Sequence, residues 1–317
     1  MKKTVLVTGA AGFIGFHLCE HLKKEYSVIG IDCLPSGRQD VNMRSKLNSN
    51  IIKASIQSDF WDDLPTKPDV VIHLAANTGI STSNINPSLY FENNIANTLK
   101  LLEKCRLNGV KQFIYASSSS VYESDVEQMK EDSPTSKQLS FYGTSKKMME
   151  VLVENYCRQY GMIGIGLRFF TVYGSWTRMD MAAYKFMNAI LQNQSIILYE
   201  NGNVERDFTH WSDIVKSIEL LIHKIQFEDN GWHSIFNIGS QNPIKILDFA
   251  TEIALNLNKE LIFKSAPLPK NELFKTYGDS SKLFKYTGFK PEMDWKNGVN
   301  EMVEWYKSDG FIVSEKT

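Results

Sequence analysis

The sequence is poor in cysteine, carries no excess of either charge and contains no long apolar run, and each shortage removes a class of protein. Its four cysteines, Cys19, Cys33, Cys105 and Cys157, are scattered through 317 residues without a Cys-x-x-Cys pair. That spacing argues against a disulfide framework or a thiolate metal site, and for reduced thiols in a core. A formal net charge of -1 leaves no basic excess to neutralise the phosphates of a nucleic acid, and no polybasic run marks a membrane surface. No stretch approaches the roughly 20 apolar residues that a spanning helix needs. The run Thr4–Thr8 is too short for a signal segment and leads straight into glycines, so a cytoplasmic address is expected. What remains, 43% hydrophobic and 22% charged, suits one large or two smaller globular domains.

From Thr4 to Phe170, short β-branched apolar runs alternate with longer stretches of helical period, the pattern of βαβ units and a parallel sheet. Strands are expected at Thr4–Thr8, Ser27–Ile31, Ile51–Ala54, Val70–Leu74, Gln112–Ser117 and Ile163–Phe169. Helices are expected at Phe13–Lys24, Pro87–Asn108 and Tyr142–Gln159. After Phe170, loops rich in Gly, Asn and Pro (Gly174–Asp180, Glu200–Asn203, Gly239–Pro243) separate shorter elements. Within that part, a helix and the strand Ile235–Ile238 could return to the first sheet. The expected organisation is a doubly wound, Rossmann-like α/β domain over 1–170 plus about 207–239, with a smaller C-terminal α/β substrate domain over 171–206 and 240–317.

Thr8-Gly9-Ala10-Ala11-Gly12-Phe13-Ile14-Gly15 joins the first strand to the first helix. Glycines at these positions permit a tight turn, close approach of backbone to a pyrophosphate, and close packing of helix on strand. The helix N-terminus then offers free N–H groups and the positive end of its dipole. Asp32, ending the next strand, is placed to accept from adenosine ribose hydroxyls and to repel a 2′-phosphate, which favours NAD over NADP.

Tyr142 and Lys146 stand one helical turn apart and project from one face. A lysine ammonium there is expected to lower the phenol pKa toward the range of a general acid/base. Tyr286 and Lys290 share the spacing, but Gly288 and Pro291 argue against a stable helix. Ser117–Ser120 follows a strand at its carboxyl end, where open α/β sheets place ligands, and a serine there can share a proton with the phenol.

Taken together, Thr8–Gly15, His73-Leu74-Ala75-Ala76, Ala116–Tyr122, Tyr142-x-x-x-Lys146, Leu167–Gly174 and Arg206–Thr209 resemble the extended short-chain dehydrogenases that modify nucleoside-diphosphate sugars. Within that group, Arg168–Gly174 followed by Arg178-Met179-Asp180-Met181-Ala182 looks most like the UDP-glucuronate 4-epimerases. The resemblance implies a catalytic set of Ser118, Tyr142 and Lys146. It implies NAD contacts from Gly9, Gly12, Phe13, Ile14, Gly15, Asp32, Leu74, Ala75, Ala76, Asn94, Tyr142 and Lys146. It implies sugar-nucleotide contacts from Ser118, Ser119, Thr171, Arg178 and Arg206, with Thr171 and Arg178 on the sugar carboxylate and Arg206 on the diphosphate. It further implies 4-epimerisation through a transient 4-keto sugar, and a homodimer packed through the helices matching Pro87–Asn108 and Tyr142–Gln159.

Departures from the pattern gather around the substrate. Ser55 stands where an adenine-reading aspartate is usual, Ser81 where glucuronate epimerases often carry arginine, and Ser175 and Met179 where they carry prolines. Lys270-Asn271-Glu272 replaces a Pro-Gly-Asp turn. A neutral-hexose 4-epimerase, a 4,6-dehydratase or a decarboxylase are the neighbouring alternatives, and a non-catalytic NAD-binding protein a more distant one. The dehydratases and decarboxylases usually place a carboxylate where this chain has Ser118-Ser119-Ser120, so simple epimerisation is preferred. His17 and His21 share a helix face without a completing ligand, and no metal site is expected. The stripe Met148, Met149, Leu152, Val153 reads as packing surface, Glu123–Asp132 as a solvated loop, and Trp176 either as pocket lining or as packing.

Overall fold

The computed structural model describes residues 2–35, 39–48, 51–58, 60–124 and 126–310; the remaining positions, among them residue 125 of the acidic run and 311–317 of the expected second domain, lie outside the described residues. In chain order the strands are β1 (Thr4–Thr8), β2 (Ser27–Asp32), β3 (Ile51–Lys53), β4 (Val70–His73), β5 (Gln112–Ser118), β6 (Ile163–Phe169), β7 (Thr171–Tyr173), β8 (Ile196–Tyr199), β9 (Glu205–His210), β10 (His233–Ile238), β11 (Pro243–Lys245) and β12 (Phe263–Ala266). A seven-stranded parallel sheet runs in the order β10-β6-β5-β4-β1-β2-β3. All five residues of β1 and all seven of β6 are buried, as a parallel sheet covered on both faces requires. The strand order reverses between β1 and β4, so the loops leaving their carboxyl ends part and open a crevice.

The segment Ile235–Ile238 does return to this sheet, as part of β10 beside β6. Its preceding helix, Trp211–Ile225, adds Ile214, Val215, Ile218, Leu221 and Ile222 to the core under β1 and β6. A second core gathers Tyr173, Tyr184, Met187, Phe208, Phe249, Ile253 and Met302 around a three-stranded sheet, β11-β9-β7. β8 and β12 form a parallel pair.

The helix Phe141–Tyr160 is bounded by its own sequence. Ser140 Oγ accepts from Gly143 N–H at 3.1 Å, and Gly161 closes the other end at φ +66°. Met149 and Val153 are buried against the sheet, but Met148 is exposed, so the methionine pair straddles the boundary rather than forming one packing surface. The expected helix Pro87–Asn108 is continuous in space but changes winding, with a π turn over Phe91–Ala96 before Asn97–Leu107.

Three further expectations change in detail. A short helix, Ser281–Thr287, does form and includes Tyr286; it stops at Gly288, φ +78°, before Lys290. Cys33 is exposed, whereas Cys19, Cys105 and Cys157 are buried free thiols. The acidic run is not solvated throughout: Met129 is buried and bonded to Tyr277 and Asp279, and Glu131 accepts from the Asn237 amide at 2.8 Å. No helix among the described residues is long and apolar enough to cross a membrane.

Candidate active site

One continuous cavity of about 990 Å³ follows the carboxyl edge of the large sheet from the glycine loop, past Tyr142, to the second core. Every site residue expected from the sequence lines it except Asn94. Asn94 is fully buried one layer behind, in the π turn, where Oδ1 accepts from Asn77 N–H and Nδ2 donates to Asn77 O and Ser145 Oγ. It thereby fixes Asn77, a lining residue, to the turn of helix that carries Tyr142.

At the cofactor end, the helix Phe13–Leu22 starts at Gly12 without a side-chain cap, so its first amides face the cavity. Gly15 is required sterically: a Cβ there would stand 2.1 Å from Gly9 O. Asp32 accepts from Ala11 N–H at 3.1 Å and Leu34 N–H at 3.0 Å, which sets its carboxylate at the cavity wall beside the loop. A bare helix N-terminus, a loop with no Cβ at Gly9, Gly12 and Gly15 and an acid at the end of β2 fit a dinucleotide with unphosphorylated ribose.

Beyond it, Ser118 ends β5, its Oγ accepting from Ser120 N–H at 3.1 Å, and Ser119 begins a 3₁₀ turn. The helix Phe141–Tyr160 approaches this turn so closely that a Cβ on Gly143 would lie 2.2 Å from Ser120 O. Burial pushes the Tyr142 phenol up, opposed by its hydrogen bond with Ser118 and by the charge of Arg178. Lys146 lies beside the phenol, as the helical spacing predicts. Burial lowers the lysine itself to about 7, its Nζ donates to Ala116 O at 2.8 Å, and it lies 5.9 Å from the centre of the Tyr142 ring. At about 7 the Lys146 ammonium is still partly charged near neutral pH, so Lys146 and Arg178 both stand as cations near the phenol.

At the far end, Thr171 begins β7, and Arg178 lies in the loop after it. Arg178 Nε and Nη2 bind Asp180 at 2.9 and 2.7 Å. Arg206, on β9, pairs with Glu272 at 3.1 Å, so the unusual Lys270–Glu272 segment supplies its counter-ion. Trp176 does not line the cavity; its ring packs on Phe16 and Trp305. Lys185, Ile197, Tyr199 and Thr276 also line this end and carry no sequence motif, so no pattern could have selected them.

Residues 5–239 match the family described as NAD dependent epimerase/dehydratase. Protein CapI of Staphylococcus aureus is 35% identical over 95% of this chain and 98% of its own length. A probable UDP-glucuronate 4-epimerase of Rhizobium meliloti is 32% identical, covering 95% and 96%. The crystal structure of UDP-glucuronic acid 4-epimerase from Bacillus cereus, in complex with UDP-glucuronic acid and NAD, superposes with a TM-score of 0.87 at 30% identity, covering 96% of this chain and 99% of that one.

Proposed function

The chain belongs to the NAD dependent epimerase/dehydratase family and is an NAD-dependent nucleotide-sugar epimerase, and from that premise we propose that it interconverts UDP-glucuronate and UDP-galacturonate. The observation that carries the choice of a uronate is Arg178: a guanidinium at the sugar end of the cavity whose Nη1 group has no protein hydrogen bond among the described residues, while Nε and Nη2 are held by Asp180. That leaves donors aimed away from Asp180 for a substrate carboxylate.

Tyr142 takes the proton of the carbon-4 hydroxyl, with Ser118 as its hydrogen-bond partner, and returns it after inversion. When bound, NAD supplies the reversible hydride acceptor for carbon 4, restored in each cycle. The resulting 4-keto uronate is a β-keto acid prone to lose carbon dioxide, and Arg178 holds its carboxylate out of alignment for that loss. Arg206 holds the diphosphate. The serine run Ser118–Ser120 brings no second carboxylate, which favours return of the hydride over dehydration.

Carbon 4 of UDP-glucuronate and of UDP-glucose is to be followed by proton NMR in wild type and Arg178→Ala. Inversion of the uronate alone, reduced by about 100-fold in the variant, is the expected result, since a charged bidentate contact contributes about 1.5–3 kcal/mol. Equal turnover of UDP-glucose would defeat the uronate assignment.

We also propose a homodimer. Leu99 on Asn97–Leu107 and Met148 and Val151 on Phe141–Tyr160 are exposed on helices that pack together, with Phe91 just before them. Large apolar side chains grouped in this way mark a surface covered by a partner.

A further inference from the structure

The loop that carries Arg178 is fastened to the cofactor end by two side chains that the catalytic scheme does not use. Arg44 is fully buried; its Nε donates to Ala11 O at 2.7 Å and its Nη1 to Trp176 O at 3.1 Å. One guanidinium thus bridges the glycine loop and the sugar loop. Its Nη2 pairs with Asp40 at 2.8 Å, so its contribution at the cavity is geometry rather than charge. One residue earlier in the sugar loop, His17 Nε2–H donates to Ser175 O at 2.8 Å, and its ring stacks on Trp211 at 3.7 Å. Burial holds His17 down to about 3, which keeps it a neutral single donor.

The segment so held needs holding. Gly174 has φ +129° and Trp176 φ +59°, the latter in the left-handed region that non-glycine residues adopt only when their surroundings impose it. Phe16, next to His17, packs on the Trp176 ring. Two residues later the chain reaches Arg178.

We propose that Arg44 and His17 are positioning residues for sugar selectivity: by binding the carbonyls of Trp176 and Ser175, they register the backbone of Arg178 against the glycine loop. The inference rests on the uronate reading of the site. It makes selectivity for a carboxylate depend on residues that touch neither the sugar nor the reacting atoms.

Affinities for UDP-glucuronate, UDP-glucose and NAD are to be measured by titration calorimetry in wild type, Arg44→Met and His17→Phe. Phenylalanine keeps the stack on Trp211 and deletes only the donor. In Arg44→Met, the affinity for UDP-glucuronate is expected to fall about tenfold with little change for UDP-glucose, the scale of one charged hydrogen bond. NAD is expected to weaken too, because Ala11 is released. In His17→Phe, NAD affinity is expected to stay at the wild-type value, which shows a folded protein, while the preference for the uronate falls. Retention of the wild-type preference in both variants overturns the inference, as does an equal loss for both sugars. A wild type without any preference overturns the uronate reading, and this inference with it.

Discussion

Burial brings the Lys146 side chain down to about 7, so the folded chain prefers it neutral where the unfolded chain keeps it charged. Between pH 7 and the ordinary lysine pKa, the unfolded state binds the extra proton, and stability therefore rises with pH across that window. The penalty is fully in force below pH 7. Lys146→Met, of similar length, is expected to stabilise the chain by a few kcal/mol near pH 6, with the gain shrinking toward pH 10. Urea unfolding of both proteins at pH 6, 8 and 10 tests this. A gain that does not change with pH would show that Lys146 keeps its proton in the fold. At this scale the sequence was most legible where chemistry has few substitutes: the glycine loop, Asp32, Tyr142 and Lys146 are all on one cavity. It was least legible where a role depends on a neighbour remote in sequence. Nothing in the residues around Asn94 says that it turns away from the cavity to pin Asn77, and nothing around Arg178 says that its charge reaches the Tyr142 phenol.

Among the elements, the helix Phe141–Tyr160, which carries Tyr142 and Lys146, is set in place by an ion pair that no motif announced. Glu150, one turn beyond Lys146, is buried and accepts from Arg168 Nε at 2.8 Å, Arg168 Nη2 at 2.9 Å and Ser117 Oγ at 2.6 Å. It ties the helix to β6 and to the residue before Ser118. Burial pushes its carboxyl up, but the bonds to Arg168 and Ser117 outweigh it and hold it below the usual range. Arg168→Met would leave the buried Glu150 carboxylate with the Ser117 bond and the longer ion pair to Lys147 at 3.4 Å, a loss of about 3 kcal/mol, whereas Arg168→Met with Glu150→Met removes both charges of the pair and recovers most of it. Guanidinium unfolding of both variants reads the difference; a double variant no more stable than the single would show that the pair is not the clamp. Element ends were legible to within a few residues, because Ser140 and Gly161 act locally. The π turn at Phe91–Ala96 was not, since its extra residue answers to packing beneath it rather than to the hydrophobic period.

At the scale of the whole molecule, the alternation of strands and helices foretold the seven-stranded parallel sheet and the return of β10, since right-handed crossovers leave few other arrangements. The second core was less legible: β7 and β11 have three residues each, the three strands of its sheet are far apart in the chain, and their pairing has no local period to announce it. The proposed homodimer belongs to this scale, and the reading rests on the side of the helix Phe141–Tyr160 that faces away from the cavity. Val151 lies five residues after Lys146, about 140° around the helix, so Lys146 lines the cavity while Val151 is exposed. A stable dimer buries roughly 1,200–2,000 Å² in all, which the exposed side chains of Phe91, Leu99, Met148 and Val151 can begin to fill across a two-fold axis. Leu99→Glu with Val151→Glu would set unpaired carboxylates into that contact, each costing a few kcal/mol. The expected mass by light scattering is twice 36.2 kDa for the wild type and 36.2 kDa for the variant, with NAD affinity retained because the cavity lies on the opposite face. A wild type at 36.2 kDa would remove the dimer. A variant that stays paired would move the interface to another face, and the exposed stripe on these two helices would then need a different partner.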